Sequence, residues 1–355
     1  MSFPEPEPLA KAPLAYENAD FLNSPDGRLL RIISEYSEPL ARFRRERIQD
    51  TVVFFGSARF HARDVASAQL QLLENTGSST PAPDEEQPTD ATEATPLQHS
   101  RALAAVEMAQ YYEDARQLAH LLTEWAQTLY TRRHRFVVTS GGGPGIMEAA
   151  NRGAYEAGGK TIGLNIRLPF EQMPNPYITP ELNFEFHYFF MRKYWFAYLA
   201  KALIVFPGGF GTLDEMFELL TLAQTRKLAK QITVVMYGSS YWKSVLNLET
   251  LVEKGAISPK DIELFQYADT PQQAFAMLKE GLTVNHLDRE RAELDEQQAR
   301  QRESHGQRRD VAWHGAATER ADAIETFRSA TAEDMLKDFA NVQELLGPDI
   351  AKTRP

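Results

Sequence analysis

The chain contains no cysteine, and this absence excludes several kinds of site. None of its 355 residues can form a disulfide, bind zinc as a thiolate or act as a cysteine nucleophile. Basic residues are also scarce, since 38 Lys and Arg stand against 49 Asp and Glu and give a formal net charge of −11 at pH 7. Recognition of nucleic acid normally needs a basic face, which this balance argues against. We therefore expect no nucleic-acid partner.

Long apolar runs are missing as well. No stretch is long enough to span a bilayer, and the first eight residues are acidic and rich in proline, unlike a secretory signal or a transit peptide. His61, His134 and His187 are isolated, without the spacing of a metal site or of a Ser/His/Asp triad. The sequence therefore predicts a cytoplasmic protein with no membrane partner and no metal.

Apolar, β-branched segments alternate with helical patterns along most of the chain. Five segments have the composition of buried strands: residues 51–55, 136–139, 161–165, 201–206 and 231–236, with a shorter strand-like piece at 184–186. Helical spacing covers residues 29–47, 102–129, 146–157, 190–199, 213–222, 241–254 and 271–282. This alternation predicts the α/β class, a doubly wound parallel sheet with helices on both faces.

Composition divides the chain into three parts. Residues 1–48 are predicted to be an N-terminal helical extension, residues 49–285 the α/β domain, and residues 286–355 a charged tail, helical or disordered, with one helix over 321–346. Within the domain, residues 75–100 are rich in Ser, Thr, Pro, Asp and Glu and predict a disordered acidic insertion.

A glycine-rich loop follows the predicted strand at residues 201–206. Gly208, Gly209 and Gly211 leave backbone N–H groups uncovered by side chains, and a helix begins directly afterwards. The N-terminus of a helix adds unpaired N–H donors and a partial positive charge. The sequence therefore predicts that this loop binds an anion.

Other small-residue loops are expected at the same edge of the sheet. With a central strand order of 3-2-1-4-5, the loop at residues 56–59 and the loop at 207–212 flank the crevice where ligands bind, and the loop at 141–145 opens on the same edge. Ser57 and Thr212 add hydroxyl donors. Neither the dinucleotide fingerprint nor the Walker lysine pattern is present. A mononucleotide or a sugar phosphate is therefore the favoured ligand, with no cofactor.

Structural interpretations of the same residues remain open at this point. Thr212 and Glu215 fit a capping box, in which Thr212 caps the helix and Glu215 reaches back to its backbone N–H. Arg192 and Lys193 lie in an aromatic stretch, where a structural ion pair or extension to solvent accounts for many such cations.

Three motifs together resemble the LOG family. They are residues 141–149 (GGGPGIMEA), residues 191–193 (MRK) and residues 207–215 (PGGFGTLDE), in that order and at suitable intervals, and the resemblance covers roughly residues 51–251. It implies a Rossmann-like fold, usually dimeric, and hydrolysis of the base–ribose bond of cytokinin riboside 5′-monophosphates or, more broadly, of AMP and other nucleoside 5′-monophosphates. Residues 169–187, which help to frame the base pocket, depart from the compact cytokinin-activating members.

Roles for individual residues follow from this resemblance. Arg192 and Glu215 match the family's catalytic pair, with Glu215 expected to stabilise the oxocarbenium-like state and to orient or deprotonate water. The predicted substrate-binding residues are Gly56, Ser57, Gly142, Gly143, Met191, Lys193, Gly208, Gly209, Gly211 and Thr212.

Two other functions compete with the hydrolase. The stronger is a non-catalytic carrier of a nucleotide or of a phosphorylated cofactor, like the molybdenum-cofactor carriers of the same superfamily, which would share the glycine loops. A scaffold that acts through the acidic insertion and tail is the third. The presence of both Arg192 and Glu215 favours the hydrolase, expected as a homodimer or higher homo-oligomer.

Overall fold

A computed structural model describes residues 11–77, 96–129, 131–169, 173–225, 227, 231–292 and 295–296. Within these residues, seven strands form one sheet in which every pairing is parallel. The strands are β1 (Thr51–Phe55), β2 (Val137–Ser140), β3 (Thr161–Ile166), β4 (Asn183–Phe186), β5 (Ala200–Val205), β6 (Thr233–Tyr237) and β7 (Gln266–Ala268). Their order across the sheet is β4-β3-β2-β1-β5-β6-β7.

Helices cover both faces of this sheet. They are α1 (Ala19–Asn23), α2 (Arg28–Arg45), α3 (Arg63–Gly77), α4 (Pro96–Gln127), α5 (Ile146–Glu156), α6 (Phe189–Leu199), α7 (Phe210–Gln224), α8 (Ser239–Val245), α9 (Leu248–Glu253) and α10 (Pro271–Leu282). Short 3-10 helices occupy Ala15–Glu17, Pro180–Leu182 and Pro259–Leu264, and a π-helix occupies Thr283–Asp288. None of the described helices combines the length and the hydropathy that a membrane crossing requires.

The central strand shows why the sheet is buried on both sides. All five residues of β1 are buried, and Val53 and Phe55 belong to one continuous apolar cluster with side chains of α2, α6 and α7, including Phe43, Trp195 and Met216. Side chains alternate across a strand, so Val52 and Phe54 point to the opposite face. Continuous apolar strands of this kind are typical of parallel sheets covered by helices on both faces.

The predicted doubly wound α/β fold is confirmed, and so is its central order. The strands predicted as 3-2-1-4-5 are β3-β2-β1-β5-β6. The sheet is extended by β4 at one edge and by β7 at the other. Because β7 has only three residues, it lacks a run long enough to be recognised from its sequence.

Two predictions about local structure are wrong. The single helix expected over residues 241–254 is two helices, α8 and α9, because Asn247 interrupts it and caps α9 by accepting a hydrogen bond from the N–H of Thr250 at 3.0 Å. The insertion expected over 75–100 is helical at both ends, where α3 runs to Gly77 and α4 starts at Pro96. Residues 78–95 and the helix predicted over 321–346 lie outside the described residues.

The chain divides into two compact units. One consists of residues 1–224 and 230–283 and contains the sheet, and the other consists of residues 225–229 and 284–355.

Candidate active site

A cleft of about 1430 Å³ lies at the carboxyl ends of the strands. Its walls come from the loop that follows β1, the loop that follows β5, and the ends of β3 and β4. The strands β1 and β5 are neighbours in the sheet. After β1 the chain continues to β2, toward one edge of the sheet, and after β5 it continues to β6, toward the opposite edge. The cleft therefore occupies the switch point at which open α/β sheets bind their ligands.

The loop after β5 leads directly into α7. This helix begins at Phe210, where the N–H of Leu213 donates to the carbonyl of Gly209 at 3.0 Å, so that its first turn faces the cleft. The leading N–H groups of a helix have no partner within it and carry a partial positive charge. The start of α7 is thus suited to an anion such as a phosphate.

Gly208 is required for the shape of this loop. A Cβ atom on Gly208 would lie 2.2 Å from Oγ1 of Thr212, far inside the contact distance. The hydroxyl of Tyr241 donates to the carbonyl of Gly208 at 3.0 Å and fixes the loop from the side. At Gly209 and Gly211, in contrast, a Cβ would meet nothing within 4 Å.

The capping box suggested for this helix is wrong. Thr212 lies inside the first turn of α7 and not before it, and its side chain packs on Gly208. The carboxylate of Glu215 accepts a hydrogen bond from Arg192 instead of from the backbone of Thr212. Glu215 is therefore available to the cleft, whose wall it forms together with Thr212.

The loop after β1 is locked against its neighbours by backbone contacts. The N–H of Ser57 donates to the carbonyl of Pro207 at 3.0 Å, and the carbonyl of Ser57 accepts from the N–H of Ile146 at 3.0 Å. A Cβ on Gly56 would lie 2.5 Å from the side chain of Ile146, so only glycine allows this approach. Gly56 and Ser57 consequently line the cleft beside the loop that follows β5.

The three glycines after β2 do not act alike. Gly141 lines the cleft, whereas the carbonyls of Gly142 and Gly143 both accept from the buried amide of Asn175 at 3.1 Å. Gly142 has a φ of 76°, a conformation that favours glycine. The structure thus places Gly142 and Gly143, both predicted to bind substrate, behind the cleft wall as the support for Gly141.

Arg192 and Glu215 form an ion pair at the wall of the cleft. One terminal nitrogen of Arg192, on α6, lies 3.1 Å from Oε1 of Glu215, on α7, and their side chains are 15% and 7% exposed. The guanidinium carbon lies 5.6 Å from the ring centre of Phe189 and 5.4 Å from that of Phe196. Among the described residues, the buried Nε of Arg192 has no hydrogen-bond partner. A donor in this position is available to a ligand.

Burial raises the pKa of the Glu215 carboxyl above its usual value, although the charges of Arg192 and Lys193 oppose that shift. A carboxylate whose pKa moves toward neutrality is better suited to exchange protons with water at physiological pH. The site therefore combines a helix end suited to an anion with a buried carboxylate and a positioned guanidinium.

Lys193 and Met191 point away from this pair. The ammonium of Lys193 lies 2.9 Å from Oδ2 of Asp214 and 2.7 Å from Oε2 of Glu218. Met191 is 5% exposed and belongs to the apolar core. Neither predicted substrate-binding residue forms part of the cleft wall, and the structural ion pair considered for the two adjacent cations describes Lys193 well.

Polar residues at the ends of β3 and β4 complete the cleft and were not predicted. Asn165 and Glu185 are paired in register, and both line the cleft together with Asn183 and Arg167. The amide of Asn165 donates to Oδ1 of Asn183 at 2.8 Å and to the carbonyl of Phe184 at 3.0 Å. The alternation in the segment NFEF, with both phenylalanines buried, was the signal that could have placed Asn183 and Glu185 on one face.

Metal-binding groups of three or more His, Asp or Glu are not found among the described residues.

Sequence comparisons with known proteins agree with the motifs. The family described as "Possible lysine decarboxylase" matches residues 147–278. Cytokinin riboside 5′-monophosphate phosphoribohydrolase LOG3 of Arabidopsis thaliana is 30% identical over 148 residues, which are 41% of this chain and 66% of that protein. Probable cytokinin riboside 5′-monophosphate phosphoribohydrolase LOGL3 of Oryza sativa subsp. japonica is 29% identical over 154 residues, covering 41% of this chain and 68% of that protein.

A solved structure is also similar. The Moco carrier protein from Chlamydomonas reinhardtii matches with 22% identity and a TM-score of 0.33, over 49% of this chain and 88% of that one. The family match and the curated relatives agree with the three motifs, which resemble those of the LOG family.

Proposed function

We propose that this chain hydrolyses the N-glycosidic bond of a nucleoside 5′-monophosphate, AMP-like or of the cytokinin type, and releases the free base and ribose 5-phosphate. The observation that carries this proposal is the buried ion pair of Arg192 and Glu215 beside the N-terminus of α7. The curated relatives are named as phosphoribohydrolases, which supports the same reaction class.

Binding of the phosphate orients the substrate in the cleft. It is bound by the first N–H groups of α7 and by the loop of Gly208, Gly209 and Gly211, with the hydroxyls of Ser57 and Thr212 within the same wall. Fixing one end of the nucleotide places its ribose at a defined distance from α7. Orientation of this kind removes much of the entropic cost of the reaction.

Glu215 acts on the anomeric carbon. The C1′–N bond breaks, positive charge develops on the ribose, and a water oxygen forms the new bond to C1′ while one of its protons ends on the base nitrogen. A buried carboxylate stabilises the developing positive charge and accepts a proton from the attacking water. The raised pKa of Glu215 suits this exchange, because the carboxylate takes up a proton more readily.

Arg192 positions the substrate and keeps Glu215 in place. A guanidinium contributes hydrogen bonds and charge to a site, and not proton transfer. The unpaired Nε supplies a donor for the base or the ribose, while the terminal nitrogen remains with Glu215.

The lysine of the second motif argues against decarboxylation, the reaction in the family's descriptive name. A Schiff-base lysine needs a lowered pKa. Although burial opposes it, pairing with Glu218 and Asp214 raises the pKa of Lys193. Its ammonium is also held by both carboxylates.

The test compares base release with ligand binding. Wild type and Glu215→Gln are incubated with a panel of nucleoside 5′-monophosphates that includes AMP and a cytokinin nucleotide, and the free base is measured by chromatography. We expect release by the wild type and a loss of about 10²- to 10⁴-fold in the variant, the usual contribution of a general base. Ribose 5-phosphate binding, measured by calorimetry, should be the same in both proteins. Tight binding of nucleotides without release by the wild type would reject the hydrolase and favour a carrier.

A further inference from the structure

Helix α2 belongs to the N-terminal extension and precedes the segment that matches the family. Its apolar side chains recur every three or four residues, at Ile32, Tyr36, Leu40 and Phe43, and join the apolar cluster of α6. The ring centre of Phe43 lies 5.3 Å from that of Trp195, and Tyr36 stacks on Trp195 at 5.8 Å. The helix is therefore packed on the element that carries Arg192.

Glu35 binds the start of α6 through its carboxylate. One oxygen accepts from the N–H of His187 at 2.7 Å, and the other from the N–H of Tyr188 at 3.3 Å. These two residues directly precede the first residue of α6, Phe189. A negative charge at the N-terminus of a helix also interacts favourably with the helix dipole.

The backbone of Glu35 binds the same helix at a second point. In a regular helix its carbonyl would accept from the N–H of residue 39, but residue 39 is proline and has no N–H. The carbonyl accepts instead from the indole Nε1 of Trp195, at 2.9 Å. Pro39, which would be unfavourable inside an isolated helix, thus frees an acceptor for α6.

Arg192 lies between these two attachment points. Its N–H donates to the carbonyl of Tyr188 at 3.2 Å, and Trp195 follows less than one turn later. A shift of α6 along α2 would consequently move the guanidinium relative to Glu215 on α7. Glu35 binds His187, Tyr188 and Trp195, all of which lie at the start of α6 or within it, and these contacts do not involve the loop that follows β5.

We propose that Glu35 is a positioning residue, which holds α6 at its start and at Trp195 and so sets the place of Arg192 in the cleft. This inference rests on the proposed function for its kinetic consequences only, since the attachment of α6 can be measured without substrate. Arg42 extends the same support to β4, because its guanidinium donates at 2.8 Å to the carbonyls of Glu181 and of Asn183, a cleft residue.

The variants are Glu35→Ala, Glu35→Gln and, as the control, Glu46→Ala. Glu46 caps the C-terminus of α2 and pairs with Lys160 at 2.9 Å, so its loss removes a carboxylate at the end of the same helix without removing a contact to α6. Glu35→Gln keeps one oxygen acceptor for an N–H of α6. It should therefore restore most of what Glu35→Ala loses.

Kinetics on the full chain give the first result. We expect Glu35→Ala to lower kcat about 10- to 100-fold, the usual cost of misplacing a catalytic group by about 1 Å, while the inhibition constant of ribose 5-phosphate stays unchanged. The acid limb of the pH profile should move to higher pH, because Arg192 would oppose the raised pKa of Glu215 less effectively, leaving Lys193 and Glu218 as its charged neighbours. A merely destabilised protein would not show that movement, and Glu46→Ala should not.

Hydrogen exchange gives the second result and needs no activity. Peptides that cover residues 187–192 should exchange at least about 10-fold faster in Glu35→Ala than in wild type, while those of α7 should not change. Unchanged exchange in α6, or an equal effect of Glu46→Ala, would overturn the proposal. If the wild type releases no base but α6 still loosens as expected, the proposed function fails and the positioning role stands.

Discussion

At the scale of single residues, the chemistry depends on how Glu215 is surrounded. The side chain is almost fully buried, and this burial raises its pKa, while Arg192 and Lys193 act in the opposite direction. In the proposed reaction, the carboxylate must be ionised to stabilise positive charge on the ribose and to accept a proton from water. Activity should therefore rise as the pH increases through the raised pKa of Glu215.

This balance predicts the effect of removing Lys193. Lys193→Ala takes away a positive charge that lowers the pKa of Glu215, so the acid limb of kcat/KM against pH should move to higher pH. The control is Lys160→Ala, which removes a paired lysine whose partner is Glu46. An acid limb that stays in place, or that moves to lower pH, would contradict the assignment of Glu215.

At the scale of elements, the proposed phosphate site depends on the junction between β5 and α7. The close contact of Gly208 with Thr212 and the bond from Tyr241 give the loop one shape, and α7 starts within it. The N–H groups are thus arranged before a ligand arrives, which reduces the entropy lost on binding.

Two glycine substitutions test whether the loop needs glycine only where a Cβ atom would be too close to a neighbour. Gly208→Ala forces its Cβ against Thr212 and should lower the free energy of unfolding by about 1–3 kcal/mol, as overpacking does, and weaken ribose 5-phosphate binding. Gly211→Ala adds a Cβ with nothing within 4 Å and lies inside α7, so its stability should stay equal or rise by up to about 1 kcal/mol. Urea unfolding measures the free energy of unfolding of both variants. An equal loss of stability in the two would contradict the steric explanation for Gly208.

The elements of the sheet could be predicted because each central strand is a buried apolar run, and β1 was predicted with its observed bounds. The contacts that support the cleft could not. The amide of Asn175 reaches carbonyls 32 and 33 residues away, and the N–H of His187 reaches a carboxylate 152 residues away. Nothing local in the sequence indicates such partners, since any buried amide or carboxylate can be satisfied by a distant backbone group.

The sequence motifs predicted only some of the residues that line the candidate site. The third motif was expected to form an anion loop, and residues 208, 209, 211 and 212 do line the cleft. Gly142, Gly143, Met191 and Lys193 lie next to cleft residues in sequence but support them from behind. A motif records which residues occur together, and only the fold decides which of them face the ligand.

At the scale of the whole molecule, the reaction is assigned to side chains and helix ends alone. Base release should therefore be unaffected by EDTA, within about 20% of the untreated rate at saturating substrate, as expected when no Lewis acid takes part. A loss of activity that added Mg²⁺ or Zn²⁺ restores would contradict this.

The homodimer or higher homo-oligomer stays a prediction, which light scattering on the full chain would measure.

The most direct test of the central claim is the stoichiometry of the products. AMP and the best substrate of the panel are incubated with the wild type, and base, ribose 5-phosphate, nucleoside and inorganic phosphate are quantified together by chromatography. The account predicts base and ribose 5-phosphate in equal amounts, without nucleoside or inorganic phosphate, and base release about 10²- to 10⁴-fold slower with Glu215→Gln. Release of inorganic phosphate with intact nucleoside, or release of base that Glu215→Gln does not reduce, would contradict it.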